Sequence, residues 1–294
     1  EKTKLSIRDD GWGMNNVELI NAMRPGSKNP LDERDLKDLG RYGLGLKTAS
    51  FSQCEELTVI SKRKGYSTIF WTWDLDYVSR TKKWELIKKE QCEEDIKYLE
   101  TQTEGTIIIW NKIDRILKGS TKDNAEILSQ WTNTIDYTKK HLSMVFHRFL
   151  ENNEINIYVQ NRKLDYWDPY LKGFNGCQPF ADEYSGDEKI RIKGYVLPHK
   201  TKISFEDYKK AEGPKGWNEQ QGFYIYRNKR LILAGNWLNF FRTEPHYNLA
   251  RIMVDLPNNL DNDWQIDIKK SSATPPISIK EQLRAYAKNI RQKA

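Results

Sequence analysis

The sequence predicts an α+β fold in two parts, and three observations carry that expectation. Runs rich in β-branched and aromatic residues at 57–61, 66–73, 106–110, 190–196 and 250–256 have the signature of strands. Apolar residues recur at helical spacing over 16–23, about 124–150 and 279–294. Both patterns occur on each side of a boundary placed near Glu151, so neither half reads as all-α or all-β. A chain of 294 residues buries roughly three quarters of its unfolded surface. Its 10 Trp, 15 Tyr and 10 Phe supply core material, which argues against disorder.

Composition excludes several classes. No stretch approaches the ~20 consecutive apolar residues of a membrane span. Cys54, Cys92 and Cys177 form no CxxC pair, which argues against a disulfide framework or a zinc site and fits a reducing cytoplasm. The net charge of +7 permits a nucleic-acid partner without indicating one. The first residue is Glu1 rather than Met, and Leu5-Ser6-Ile7 reads as the middle of a strand, so natural sequence is expected to precede it.

The elements follow in order. A short strand at 5–8 leads into Asp9-Asp10-Gly11-Trp12-Gly13-Met14. Helix is expected from 16 to 23, with Val17, Leu19, Ile20 and Met23 at helical spacing and Asn15 or Asn16 as its cap. Residues 25–40 read as a charged loop with a short helical piece, and helix is expected to resume through 47–51. Strands at 57–61 and 66–73 flank a Lys64-Gly65 turn, and a further strand follows Gly105. The Glu93-Glu94-Asp95 run reads as a solvated loop. A single long helix is expected over 124–150. Beyond it, 155–159 alternates as a strand that turns at Asn161-Arg162, and 223–226 turns at 227–229 into 231–233. A basic amphipathic helix closes the chain.

Glycine-rich turns let backbone approach a phosphate or a ring, because no Cβ intrudes. Generic labels do not fit the two clusters here. Gly40 and Gly45 have Walker A glycine spacing, but Leu46 separates Gly45 from Lys47. Gly43-Leu44-Gly45 follows a charged loop rather than the strand of a dinucleotide fingerprint.

Taken in order, Asp9-x-Gly11-x-Gly13-Met14, then Gly26-Ser27-Lys28, then Tyr42-Gly43-x-Gly45-x-Lys47-Thr48, then Gly105-Thr106 before a hydrophobic strand, resemble the GHKL ATPase superfamily. That superfamily includes gyrase B, the ninety-kilodalton heat-shock chaperones, histidine kinases and MutL. The nearest likeness is to its MORC-like branch. The resemblance implies a two-layer α/β sandwich of the Bergerat type over 1–151, its first helix and strand missing, followed by a transducer-like α+β domain over 152–294. It implies ATP and Mg2+ as cofactors and ATP hydrolysis by the intact protein.

On these residues the resemblance makes Asp9 the acceptor of the adenine amino group, a charge-assisted contact that selects adenine. Read as an ordinary strand-end residue, Asp9 would cap the next turn, a role that Asp10 fits better. Gly11 and Gly13 would let backbone and Met14 lie against the base. Thr106 would bond its edge directly or through water, or be simply a β-branched strand residue. Residues 25–41 would be a lid, with Arg41 a weaker phosphate candidate. Gly43, Leu44, Gly45, Leu46 and Lys47 would meet the phosphates at a helix start, although Lys47 also reads as a surface lysine. The family's water-activating Glu and magnesium-holding Asn lie upstream of the glycine turn. Glu18 and Asn21 lie downstream of it and take neither role.

In the second half, 264–271 reads as a strand with Trp264, Ile266 and Ile268 on one face. Lys269 or Lys270 at its end would reach the γ-phosphate, with Lys270 favoured over its neighbour, or both would be surface lysines. His141, His147, His199 and His246 read as ordinary surface or packed residues. Lys163, Arg227, Lys229 and Arg230 cluster at turns beside aromatics and would suit a phosphate backbone or plain solvent.

The function the resemblance implies is an ATPase whose nucleotide closes a lid and drives homodimerisation, clamping DNA in a bacterial defence or DNA-processing system. Two alternatives stand beside it: a chaperone-like ATPase with protein clients, and a module that senses ATP without hydrolysing it. A histidine kinase is disfavoured, because no phosphoacceptor helix pair precedes the glycine turn.

Overall fold

The computed structural model describes residues 4–24, 45–89, 93–113, 124–185, 189–257, 260, 264–265 and 273–294. These fall into two compact units, one up to Trp131 and the other from Thr132 to Ala294. Helices and sheets are present in both, so the chain is α+β.

The first unit is a four-stranded antiparallel sheet with helices on both faces. Its elements are β1 (Leu5–Asp9), α1 (Asn16–Met23), α2 (Gly45–Phe51), β2 (Cys54–Lys62), β3 (Ile69–Asp74), α3 (Leu75–Thr81), α4 (Glu93–Glu100) and β4 (Gly105–Ile113). The strand order is β1-β4-β2-β3. Side chains alternate between the two faces. Leu57 and Val59 of β2 pack with Leu19 and Met23 of α1, while Ile60, Ile107 and Ile109 pack with Leu99 of α4.

Helix α1 starts where the sequence demands it. The Asn15 side chain accepts from the Glu18 amide at 3.0 Å, and the Glu18 carboxylate accepts from the Asn15 amide at 2.9 Å, a reciprocal cap. The indole N–H groups of Trp71 and Trp73 then fasten the helix to β3, donating to Asn16 Oδ1 at 2.9 Å and to the Met23 carbonyl at 3.0 Å.

The Glu93-Glu94-Asp95 run is not a solvated loop. It opens α4, and Asp95 is 1% exposed. Lys4, just ahead of β1, and Arg8 of β1 supply its counter-charges, Arg8 at 2.9 Å. Burying that carboxylate is tolerable only because both cations come with it.

A second buried network ties β2, β3 and β4. Lys89 and Lys112 bond Asp74 at 2.9 and 3.1 Å, and Asn111 donates to Glu56 at 2.9 Å. Burial opposes ionisation of Asp74, yet the two lysines and the Tyr77 amide outweigh it and hold its pKa at about 2. The unfolded value is near 3.8. A depressed folded value means stability that is fully present above pH 4 and is lost as pH falls toward 2. The expected loss over that window is about 2 kcal/mol. Urea melts at stepped pH check this: Asp74→Asn should flatten that part of the acid limb, and an unchanged limb would show that the network does not set it.

The second unit begins within α5 (Asn124–Val145), which the chain breaks at Phe146 before α6 (His147–Glu151). The expected single helix over 124–150 is therefore two. The alternating run at 155–159 yields only a two-residue ladder, β5 (Tyr158–Val159) with β6 (Arg162–Lys163). Then follow β7 (Gln178–Ser185), β8 (Ile190–Val196), α7 (Phe205–Ala211), α8 (Gly216–Glu219), β9 (Gly222–Arg227), β10 (Arg230–Ala234), β11 (Ala250–Leu256) and α9 (Ile277–Lys293). The sheet order is β10-β9-β11-β8-β7, with β9 and β11 parallel. One face packs Phe223, Ile225, Ile252 and Val254 under α9. Helix α9 comes this close because residue 194 is glycine: a Cβ there would stand 2.4 Å from Ile290. The other face buries Tyr224, Tyr226 and Tyr170. His147 donates to or accepts from the Tyr226 hydroxyl at 2.8 Å and is fully buried, which pushes its pKa down to about 3, so it is a packed neutral histidine.

Candidate functional site

Register places the first cluster of expected residues in one row. Asp9 of β1 pairs with Thr106 of β4, and Thr106 pairs in turn with Ser61 of β2. Directly opposed residues share a face, and this face is the one that carries α1. Thr106 is 8% exposed and Ser61 is fully buried, whereas Asp9 stays exposed at the edge. The row is thus a polar end to an otherwise apolar sheet face.

The turn after β1 is shaped by this row. Asp9 Oδ1 accepts the Gly11 amide at 2.9 Å, so Asp9 does cap the turn that follows it. Its carboxyl lies above its ordinary pKa. Loss of hydration is the main cause, the Gly11 amide opposes it, and Asp10 adds repulsion. Gly13 adopts φ +63°, and a Cβ on it would stand 1.9 Å from the Lys62 carbonyl oxygen. Gly105, at φ +148°, holds its Cβ position 2.5 Å from the Asp9 carbonyl oxygen. These two glycines allow close approach to the protein's own backbone. Met14 then donates its amide to Ser61 Oγ at 2.8 Å, locking the turn to the row.

The second cluster lies at the other end of α1. Gly45 opens α2, Leu46 packs into the apolar core, and Lys47 is 4% exposed. Lys47 Nζ donates to the Ala22 carbonyl at 2.7 Å, and burial pushes its pKa down. It is not a solvated surface lysine. The length of α1, eight residues or about 12 Å, separates this ammonium from the Met14 turn.

Other expectations fare differently. Arg41, Gly43, Leu44, the lid at 25–41, Lys269, Lys270 and residues 266–271 lie outside the described residues. Trp264 and Gln265 form a turn, with Trp264 fully buried. Arg227 is 4% exposed and Lys229 pairs with Glu154, so those two are not free for a phosphate backbone. Glu18 is committed to its cap and to Arg63. Among the described residues no group of three or more His, Cys, Asp or Glu side chains could hold a metal ion, and no step is assigned to magnesium. No described helix is long and apolar enough to cross a membrane.

Ser61 is the residue that sequence reasoning missed. Its signal was a polar side chain at an inward position of an apolar strand, in phase with Leu57 and Val59.

Residues 1–106 match the family model described as histidine kinase-, DNA gyrase B-, and HSP90-like ATPase. Over this region, a little over a third of the chain, the sequence is similar to the GHKL superfamily. The matched segment contains the turn of Asp9, Gly11 and Gly13 and the strand start at Gly105-Thr106 that the sheet register brings together. No curated protein matches the chain. Among solved structures it is similar to the ATPase region of Saccharomyces cerevisiae topoisomerase II, with a TM-score of 0.46 and 12% identity, covering 99% of this chain and 74% of that one. The same yeast region bound to ICRF-187 (dexrazoxane) gives a TM-score of 0.46 and 10% identity, with coverages of 98% and 77%.

Proposed function

We propose that this chain binds ATP through its first unit and belongs to a nucleotide-driven clamp of MORC-like type, acting on DNA in a bacterial defence or DNA-processing system. One observation supports the reading above the others: the Asp9–Thr106–Ser61 row at the end of the helix-bearing face. Asp9 would accept the adenine amino group, with Thr106 beside it on the base edge. Gly11, Gly13 and Met14 would floor the pocket. One α1 length away, Lys47 would exchange the Ala22 carbonyl for a phosphate oxygen, assisted by the first turn of α2. The spacing suits a ligand with a base at one end and an anionic tail at the other. Arg41, Gly43 and Leu44 would complete the phosphate grip, and Lys270 or Lys269 would add charge from a transducer over 152–294. Glu18 is engaged with the Asn15 amide and Arg63 and is not the general base for hydrolysis in this reading.

ATP would favour a closed homodimer by binding it more tightly than the open form. Calorimetric titration tests the pocket: ADP should bind at least tenfold more tightly than GDP, and equal binding, or none, overturns the reading. A salt-dependent shift of labelled duplex DNA by the ATP-bound chain is expected for the clamp. Absence of that shift, with capture of an unfolded protein client instead, would favour the chaperone-like alternative.

A further inference from the structure

We propose that Ser61 is a positioning residue for adenine selectivity, acting through Thr106; this rests on the ATP-site reading above. Ser61 Oγ touches three groups at once. It accepts the Met14 amide at 2.8 Å, lies 3.0 Å from Thr106 Oγ1 and lies 3.2 Å from the Gly105 carbonyl. A serine hydroxyl has one proton to give. Given to Thr106, that proton leaves the Thr106 proton for a ligand, and Thr106 becomes a donor. Given to the Gly105 carbonyl, it obliges Thr106 to donate backward to Ser61 and to present only lone pairs.

The shorter of the two contacts runs to Thr106. In that arrangement the chain Met14 N–H to Ser61, Ser61 to Thr106, Thr106 to ligand aligns three donors in sequence, and such bonds reinforce one another. The row then presents an acceptor at Asp9 and a donor at Thr106. Adenine offers the complement on adjacent positions, its 6-amino donor and its N1 acceptor. Hypoxanthine offers the reverse, a 6-oxo acceptor and an N1–H donor. To accept that N1–H, Thr106 must turn its proton onto Ser61, and Ser61 must fall back on the longer Gly105 contact. Burial makes the choice matter, because Ser61 is fully shielded and has no water to offset a poor arrangement.

The test is calorimetric titration of the chain with ADP and with inosine diphosphate. Ser61→Ala should lower the ADP to inosine diphosphate affinity ratio roughly fivefold, about the worth of one neutral hydrogen bond. Thr106→Val, which keeps the branched shape, should lower it similarly. Ser61→Ala added to Thr106→Val should then change the ratio no further, the mark of two residues acting as one unit. Ser61→Cys, a weak donor and acceptor, should fall between. Equal weakening of both nucleotides by Ser61→Ala would show a merely structural serine and overturn the proposal while leaving the site reading intact. So would a ratio change that persists in the Thr106→Val background. A wild-type chain that binds neither nucleotide would overturn both.

Discussion

Asp9→Asn is expected to weaken ADP binding roughly a hundredfold at pH 7, while leaving the chain as stable as before or slightly more so. The carboxylate accepts the Gly11 amide at 2.9 Å through Oδ1, and the Thr106 amide also favours its ionised form. Asparagine offers a single oxygen. If that oxygen keeps the Gly11 bond, its NH2 faces the adenine amino group, donor against donor. If it turns to the ligand, the Gly11 turn loses its acceptor. Either way the charge that strengthened the contact is gone.

Stability moves the other way because of where the Asp9 pKa lies. Loss of hydration raises it above 3.8 in the folded chain. A raised folded value means that the native state holds the proton more tightly than the unfolded state. Stability therefore declines as pH rises from the unfolded pKa through the folded one, and the ionised form at pH 7 is a burden on the fold. Removing that charge relieves it. The same shift predicts that wild-type ADP affinity falls as pH drops through the raised value, whereas the affinity of the variant stays flat there. Calorimetry across pH 4–7 with parallel thermal melts checks both. Unchanged affinity would remove Asp9 from the base pocket, and a matching loss of stability would reduce it to a turn cap.

The parts that sequence made legible share a cause: they are local. The reciprocal cap of α1 needs only Asn15 and Glu18, three positions apart, and it forms. The glycine turn after Asp9 was legible because residue identity alone restricts the backbone there. What was hidden depends on register. Ser61 matters because it lies opposite Thr106, 45 positions away, and nothing along the strand announces that pairing. Asp95 reads as one more acid in a run until Lys4 and Arg8, 91 and 87 positions earlier, are brought to it. Strand β7 escaped notice because among the described residues it pairs only with β8, at the sheet edge, its residues remain partly exposed, and Pro179 interrupts its pattern. The long-helix reading failed at Phe146, a break that periodicity does not register.

Gly13→Ala should be the most damaging single methyl in the first unit, lowering stability by about 3–4 kcal/mol and abolishing ADP binding with it. Two penalties combine. The left-handed backbone at φ +63° costs an alanine about 1–2 kcal/mol. Its Cβ would also fall 1.9 Å from the Lys62 carbonyl oxygen and 2.6 Å from the carbonyl carbon. Those atoms are strand backbone at the end of β2, so they cannot swing aside as a side chain would, and overpacking of this kind adds typically 1–3 kcal/mol. The cheapest relief lifts the turn off β2. That move breaks the Met14 amide bond to Ser61 and displaces the Asn15 cap one residue later. Fold and pocket are lost through the same contact. Gly11→Ala is the contrasting case. Gly11 is not among the positive-φ glycines, and its added Cβ would meet Asp9 Oδ1 at 2.9 Å, the far end of a side chain that can rotate away. That variant should keep its melting temperature within a few degrees yet bind ADP at least tenfold more weakly, because the carboxylate has been pushed out of line. If both alanines lowered stability and binding in the same proportion, the division of labour between a packing glycine at 13 and a carboxylate-steering glycine at 11 would be wrong.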